Sequence, residues 1–209
     1  MELIFVAGSW GSGTTAVAGA LDKLGVPTFG PHFKTRDERT KNSYELIPFR
    51  DMVLHFVDEA SIQHKGNYTS GFKLELENFK NSLLKAKWPE LPNPERKIFA
   101  LKMPLATLCL PEICEIFDTK IILIHRPFDD IEESRLRRDW HPNFGGAGAY
   151  KIYQHFLANT ITHKLSYLSI SHNDFVTNTR DSMEKIIDYC DIGEFSHNID
   201  KADEFVRKP

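Results

Sequence analysis

The sequence predicts an α/β fold: three layers, α/β/α, around a central parallel sheet. Three observations carry that expectation. Short apolar runs rich in β-favouring residues, above all Leu3 to Ala7 and Lys120 to His125, have the character of strands buried on both faces. Stretches of helical periodicity alternate with such runs along the chain. Between the first run and the first helix stands a glycine-rich turn, Gly8-Ser-Trp-Gly-Ser-Gly-Thr-Thr15.

Taken in order, Leu3 to Ala7 is the first strand and Gly8 closes it. Val17, Leu21 and Leu24 then recur at helical spacing, and Gly25 is placed to end that helix, with Pro27 just beyond. Residues 28 to 97 mix polar and charged positions with helical stretches around Ile47 to Ile62 and Leu74 to Ala86, until Pro89, Pro92 and Pro94 break the pattern. Lys97 to Met103 predicts a second strand and Leu105 to Phe117 a helix. Lys120 to His125 is the clearest strand of all. Pro127 suits the first turn of a helix running to about Arg138. Gly145, Gly146 and Gly148 mark a flexible loop. Tyr150 to Leu165 should be helical, Leu168 to Ile170 a last strand, and Arg180 to Cys190 a final helix.

The 209 residues fall within the range of one large domain, spanning 1–209. With 26 basic residues against 29 acidic ones, the net charge of -3 gives no support to a nucleic-acid partner. No run reaches the ~18 apolar residues of a membrane span. The cysteines, Cys109, Cys114 and Cys190, match the spacing of neither a zinc site nor a disulfide framework, which points to a reducing, cytoplasmic compartment. Nine histidines include no His-Glu-x-x-His pattern, and no metal is expected.

A tight glycine turn between strand and helix lets backbone N–H groups converge on an anion where the helix dipole is positive. Gly8, Gly11 and Gly13 permit the close approach, and the hydroxyls of Ser12, Thr14 and Thr15 offer further donors. The spacing of Gly8 and Gly13 is that of a nucleoside-triphosphate loop, but Thr14 stands where such a loop has its lysine. That counts against ATP or GTP hydrolysis. Arg126 lies at the end of the best strand, where open α/β sheets bind ligands, with Ser134 two turns along the following helix. Taken alone, Arg126 also fits a surface ion pair with Asp129 or Asp130.

Together these residues resemble the sulfotransferases that use 3′-phosphoadenosine 5′-phosphosulfate. Their first loop is typically Lys/Arg-Ser-Gly-Thr-Thr/Ser, and Ser12-Gly-Thr-Thr15 matches its last four positions. His125-Arg-Pro-Phe-Asp-Asp-Ile-Glu-Glu-Ser134 is similar to the family's second element, a strand ending in arginine with a serine eight positions later. Lys102-Met-Pro104 resembles its Lys-x-Pro strand end, and His172-Asn-Asp-Phe175 its Tyr-Glu-Asp-Leu. The resemblance implies a P-loop NTPase-like fold and sulfonate transfer to a hydroxyl or amine of a small-molecule or carbohydrate acceptor. It implies that Gly11, Ser12, Gly13, Thr14 and Thr15 hold the donor's 5′ side, and Arg126 and Ser134 its 3′-phosphate.

The chain departs from that pattern at Gly11, where the family carries lysine or arginine. The cation that stabilises the bridging oxygen must then come from elsewhere. Lys102 is the first candidate; a solvated strand-end lysine is the other reading of it. For the base, Asn42-Ser-Tyr-Glu45 resembles a bacterial Asn-x-x-Gly-Tyr/Phe-x-Glu stretch, which makes Glu45 the candidate, with His32 and His55 as alternatives. Phe33, Arg36, Arg39, Tyr44, Trp88 and the glycines at 145 to 148 are expected to shape the acceptor pocket. Two other readings stand beside transfer: a P-loop kinase of a small metabolite, and a nucleotide binder that lost catalysis along with the loop cation.

Overall fold

The structure is a computed structural model describing residues 1–35 and 41–207, without the side chains of Thr69 and Ser70. Along the chain come β1 (Glu2–Ala7), α1 (Thr14–Leu24), the hairpin strands β2 (His32–Lys34) and β3 (Asn42–Leu46), and α2 (Ile47–Phe56). A short ribbon, β4 (Val57–Asp58) and β5 (Gln63–His64), leads into α3 (Tyr68–Lys85) and β6 (Ile98–Lys102). A 3-10 turn (Pro104–Cys109) precedes α4 (Leu110–Ile116), β7 (Asp118–His125) and α5 (Phe128–Arg137). The remainder is α6 (Gly146–Thr162), β8 (Tyr167–Ser171), α7 (His172–Thr177), α8 (Thr179–Cys190) and α9 (Ile199–Arg207).

The central sheet has four parallel strands in the order β6-β1-β7-β8. Its strands are apolar on both faces because helices cover both. Along β1, Leu3, Phe5 and Ala7 face one core with α2, α3, α4 and α6, whereas Ile4 and Val6 face a second core with α1 and α8. The three-layer α/β/α expectation therefore holds. The register sets which strand ends lie level: Val6 is opposite both Lys102 and Ile122, and His125 opposite Ser171. The carboxyl ends of all four strands meet at one end of the sheet.

Several boundaries differ from the sequence expectation for identifiable reasons. The helix expected over Leu105 to Phe117 divides, because Pro111 lacks the N–H that would continue it and sits instead in the first turn of α4. The helix expected to run to Ile62 ends at Phe56, where β-branched Val57 turns extended and pairs with His64. The start of α3 lies before Leu74, since Gly71 brings the helix close to Phe56; a Cβ there would lie 2.7 Å from that ring. Gly146 and Gly148 form no flexible loop. They open α6, Gly146 in tight contact with the Phe128 carbonyl and Gly148 pressed against Asn143, where a side chain would collide. The β2–β3 hairpin and α9 lie outside the expected set.

α9 leans on α1 at a position that only glycine fits. A Cβ on Gly19 would overlap the Phe205 ring and come within 2.9 Å of Tyr44 Cε2. Gly19→Leu should therefore destabilise the fold by about 1–3 kcal/mol, the usual cost of overpacking. In thermal denaturation this appears as a Tm lower by several degrees. Adding Phe205→Ala should recover part of the loss by vacating the space.

Candidate functional site

The loop after β1 owes its shape to three left-handed glycines, Gly8, Gly11 and Gly13, with φ of +144°, +74° and +104°. Space is as decisive as φ at two of them. A Cβ on Gly8 would stand 2.6 Å from the Ile124 carbonyl, and one on Gly13 2.6 Å from Cδ2 of His172. At Gly11 the nearest atoms, on Ile131 and Ser134, would be at ordinary contact of 3.5 to 3.6 Å, so backbone conformation alone favours glycine.

Gly13 is the N-cap of α1 and provides no side-chain cap. The N–H groups of Thr14 and Thr15 thus head the helix without intrahelical partners, where the dipole is positive. The hydroxyls divide differently from the sequence expectation. Ser12 is fully buried and donates to the Ser9 carbonyl at 2.8 Å, so its proton ties the loop to itself. Thr14 is buried, with its methyl against Gly8, while Thr15 is partly exposed.

Arg126 follows β7 directly and reaches back over this loop. Its Nη1 donates to Ser134 Oγ at 3.1 Å and to the Gly11 carbonyl at 3.4 Å, while Nε faces Asp130 Oδ2 at 3.4 Å. The ion pair with Asp130 and the contacts to Ser134 and Gly11 use different nitrogens of Arg126. Ser134 is buried beneath the guanidinium. His172, the first residue of α7, closes the other side of Gly13. Burial and then the Arg126 charge lower its pKa, with Asp130 opposing. Sequence reading marked His172 only as part of a four-residue similarity.

Lys102, the last residue of β6, is not a solvated strand end. It is 4% exposed, and its Nζ lies 2.7 Å from Glu45 Oε1. The other Glu45 oxygen faces Arg50 Nε at 3.5 Å, and the Arg50 guanidinium stacks over Phe33 at 4.4 Å. The fold thus brings together the two residues proposed for cation and base, 57 positions apart, as one buried ion pair. Glu45 precedes α2 at the end of β3, whose hairpin is held by His32: one ring nitrogen meets the Thr28 carbonyl and the other Asn42. His55 lies exposed in the last turn of α2.

Of the residues expected around an acceptor pocket, Phe33 is 41% exposed beside Arg50. Tyr44 is buried between His32 and Phe205. Trp88 packs on Phe29 and Phe99. Because Phe99 pairs with Leu3, Trp88 belongs to the amino end of the sheet, away from the loop. The sequence placed it wrongly because an aromatic's type does not reveal its register. Arg36 and Arg39 lie outside the described residues. Among the described residues, no cluster of His, Cys, Asp and Glu is arranged to hold a metal ion. No described helix is long and apolar enough to cross a membrane.

A family model described as Sulfotransferase family matches residues 3–196. The chain belongs to the sulfotransferase family. Nine chains of solved structures match this chain. One is sulfotransferase STF9 from Mycobacterium avium, with a TM-score of 0.50 and 15% identity over 94% of this chain and 66% of that one. This chain thus spans about two thirds of that protein's length, and at this identity the likeness concerns the fold. No curated protein matches it.

The Lys102–Glu45 pair gives a test of its own. Removing one partner of a buried pair typically costs about 3–5 kcal/mol, because a charge is left buried and uncompensated. Lys102→Met and Glu45→Leu should each lower stability in urea unfolding. The double variant should recover much of the loss, with Arg50 free to turn toward solvent.

Proposed function

We propose that this sulfotransferase binds 3′-phosphoadenosine 5′-phosphosulfate and moves its sulfonate to a hydroxyl or amine of a small-molecule or carbohydrate acceptor. The observation that carries the reading is the convergence at Arg126. Its guanidinium joins Ser134 of α5 to Gly11 of the first loop, so the two elements that this reading assigns to anions, 115 residues apart in sequence, are in contact. A nucleotide phosphorylated on both sides of its ribose presents two anions to such a pair of elements. The residues suit that donor on physical grounds: glycines leave room where side chains would collide, and the head of α1 is uncapped.

In this reading the N–H groups of Gly13, Thr14 and Thr15 bind the 5′-phosphate side, with Gly11 and Ser12 shaping the approach. Arg126 and Ser134 take the 3′-phosphate. Lys102, held at the strand end by Glu45, supplies positive charge near the transferred group in place of a loop cation at position 11. A single unit over 1–209 working in the cytoplasm suits the three free thiols. A binder without catalysis is the second reading. It is favoured by Gly11, and by an ion pair that already neutralises Lys102. Radiolabelled donor with a panel of phenols, sugars and amines separates the two, since only the enzyme yields a labelled acceptor.

The donor reading is tested by thermal shift and calorimetry. 3′-Phosphoadenosine 5′-phosphate should stabilise the protein more than ADP, and more than ATP with magnesium; the reverse order favours a kinase. Hydrogen bonds to a charged group contribute about 1.5–3 kcal/mol each, so Arg126→Ala should weaken bisphosphate binding roughly 10- to 100-fold. Binding of 5′-AMP, which has no 3′-phosphate, should barely change. Equal bisphosphate affinity in both proteins would remove Arg126 from the site.

A further inference from the structure

Helix α6 is apolar on two sides. Gly148, Ala149, Ile152, Phe156 and Thr160 form the buried stripe that faces the core. The opposite side of a surface helix ordinarily carries charge. Here it presents Ala147, Tyr150, Gln154, Leu157 and Ile161, all exposed and none charged. Tyr150, Leu157 and Ile161 keep 58%, 48% and 75% of their area open. Lys151 lies beside this row but donates to the Ser61 carbonyl at 3.1 Å. Phe128 of α5, also exposed, packs on Tyr150 with ring centroids 6.2 Å apart and widens the row at its amino end.

The spacing of the row identifies what fits it. From Ala147 the steps are three, four, three and four residues, the alternation of a coiled-coil seam, which another helix covers. Gln154 stands at the midpoint, seven positions from either end. Turned end for end about Gln154, the row maps onto itself with small residues against large ones. Ala147 comes level with Ile161, and Tyr150 with the exposed Ala158. A stripe complementary to its own reverse is what an isologous two-fold contact requires. Area points the same way. With Phe128 the row exposes on the order of 500 Å², at the upper end for the largest apolar patch of a monomer. A two-fold contact buries it on both copies, about 1,000 Å² in all, the size at which specific association begins.

We propose that this face of α6 docks a second copy of the chain, helix against helix and antiparallel, with the two-fold axis at Gln154. The two Gln154 amides meet across the axis, where each offers both a donor and an acceptor. A polar residue inside an apolar seam sets register and orientation, because any other alignment leaves it buried without a partner. Tyr150 of one copy covers Ala158 of the other, and Phe128 closes the flank. The area is modest, so the dimer forms reversibly. No seam residue is among those assigned to the donor, and each copy keeps a complete set of them.

Sedimentation equilibrium of the full chain, from micromolar to submillimolar concentration, tests the contact. The mass should rise with concentration from 24.0 kDa toward twice that value. Ala147→Glu and Ile161→Lys alter exposed positions, so each variant should keep its fold by circular dichroism. Each should also move the monomer–dimer midpoint to a concentration roughly 10-fold higher or more, since a charge is then buried without a partner. A chain carrying both substitutions should dimerise again. Antiparallel pairing brings each new acid level with the new ammonium group of the other copy, whereas parallel pairing sets like charges together at both ends. A mass of 24.0 kDa at every concentration overturns the proposal. So does a dimer that the single substitutions leave unchanged, because another surface then holds it. A double variant that stays monomeric overturns the antiparallel register, and with it the axis at Gln154.

Discussion

Everything at the site depends on β1 being paired in parallel on both sides. With β6 on one edge and β7 on the other, Val6 lies opposite Lys102 and Ile122. The chain then leaves β1 into the glycine loop at the level where β6 delivers its lysine and β7 its arginine. A one-residue slip would turn Lys102 to the opposite face of the sheet, away from Glu45. The apolar residues of β1, divided between two cores, oppose such a slip because each would have to exchange partners.

Around that register the molecule allocates its cations. Lys102 is neutralised by Glu45, Arg50 is shared between Glu45 and the Phe33 ring, and Arg126 is shared among Ser134, Gly11 and Asp130. Lys102, which is buried, needs such a partner most, since its desolvation is costly, while both arginines are partly exposed. Exchange of some of these contacts for an arriving anion would leave the net burial of charge little altered. The hydroxyl of Ser12, directed at the Ser9 carbonyl, lets the loop hold its curvature before any ligand arrives.

The strands and the loop were legible because their signals are local. Continuous apolar runs mark strands buried on both faces, and glycines at 8, 11 and 13 stand where the backbone is left-handed. Gly25 likewise marked the end of α1, where it adopts φ of +108°. Arg126 and Ser134, eight positions apart in sequence, could also be read together. What escaped was non-local. Lys102 and Glu45 were both named, but nothing in sequence shows that a strand end and a hairpin end 57 positions away will neutralise each other. Ser12 looked like a ligand donor because its type does not disclose that its hydroxyl points inward. Trp88, expected in the region that shapes the acceptor pocket, packs instead on Phe29 and Phe99, which its residue type does not disclose. α9 does carry a helical pattern in Ile199, Ala202 and Val206, but the segment is short.

The seat of α9 on α1 has a consequence for how the molecule is made. α1 leaves the ribosome well before Ala202, Phe205 and Val206, which cover its outer side and are synthesised about 180 residues later. At synthesis rates of ~5–20 residues per second, that face waits on the order of ten seconds or more for its cover. Throughout that interval the nascent chain carries an open apolar stripe next to the helix that heads the glycine loop. A nascent protein of this topology depends on late closure, and a chain halted before Ile199 would present the stripe to chaperones or to other copies of itself.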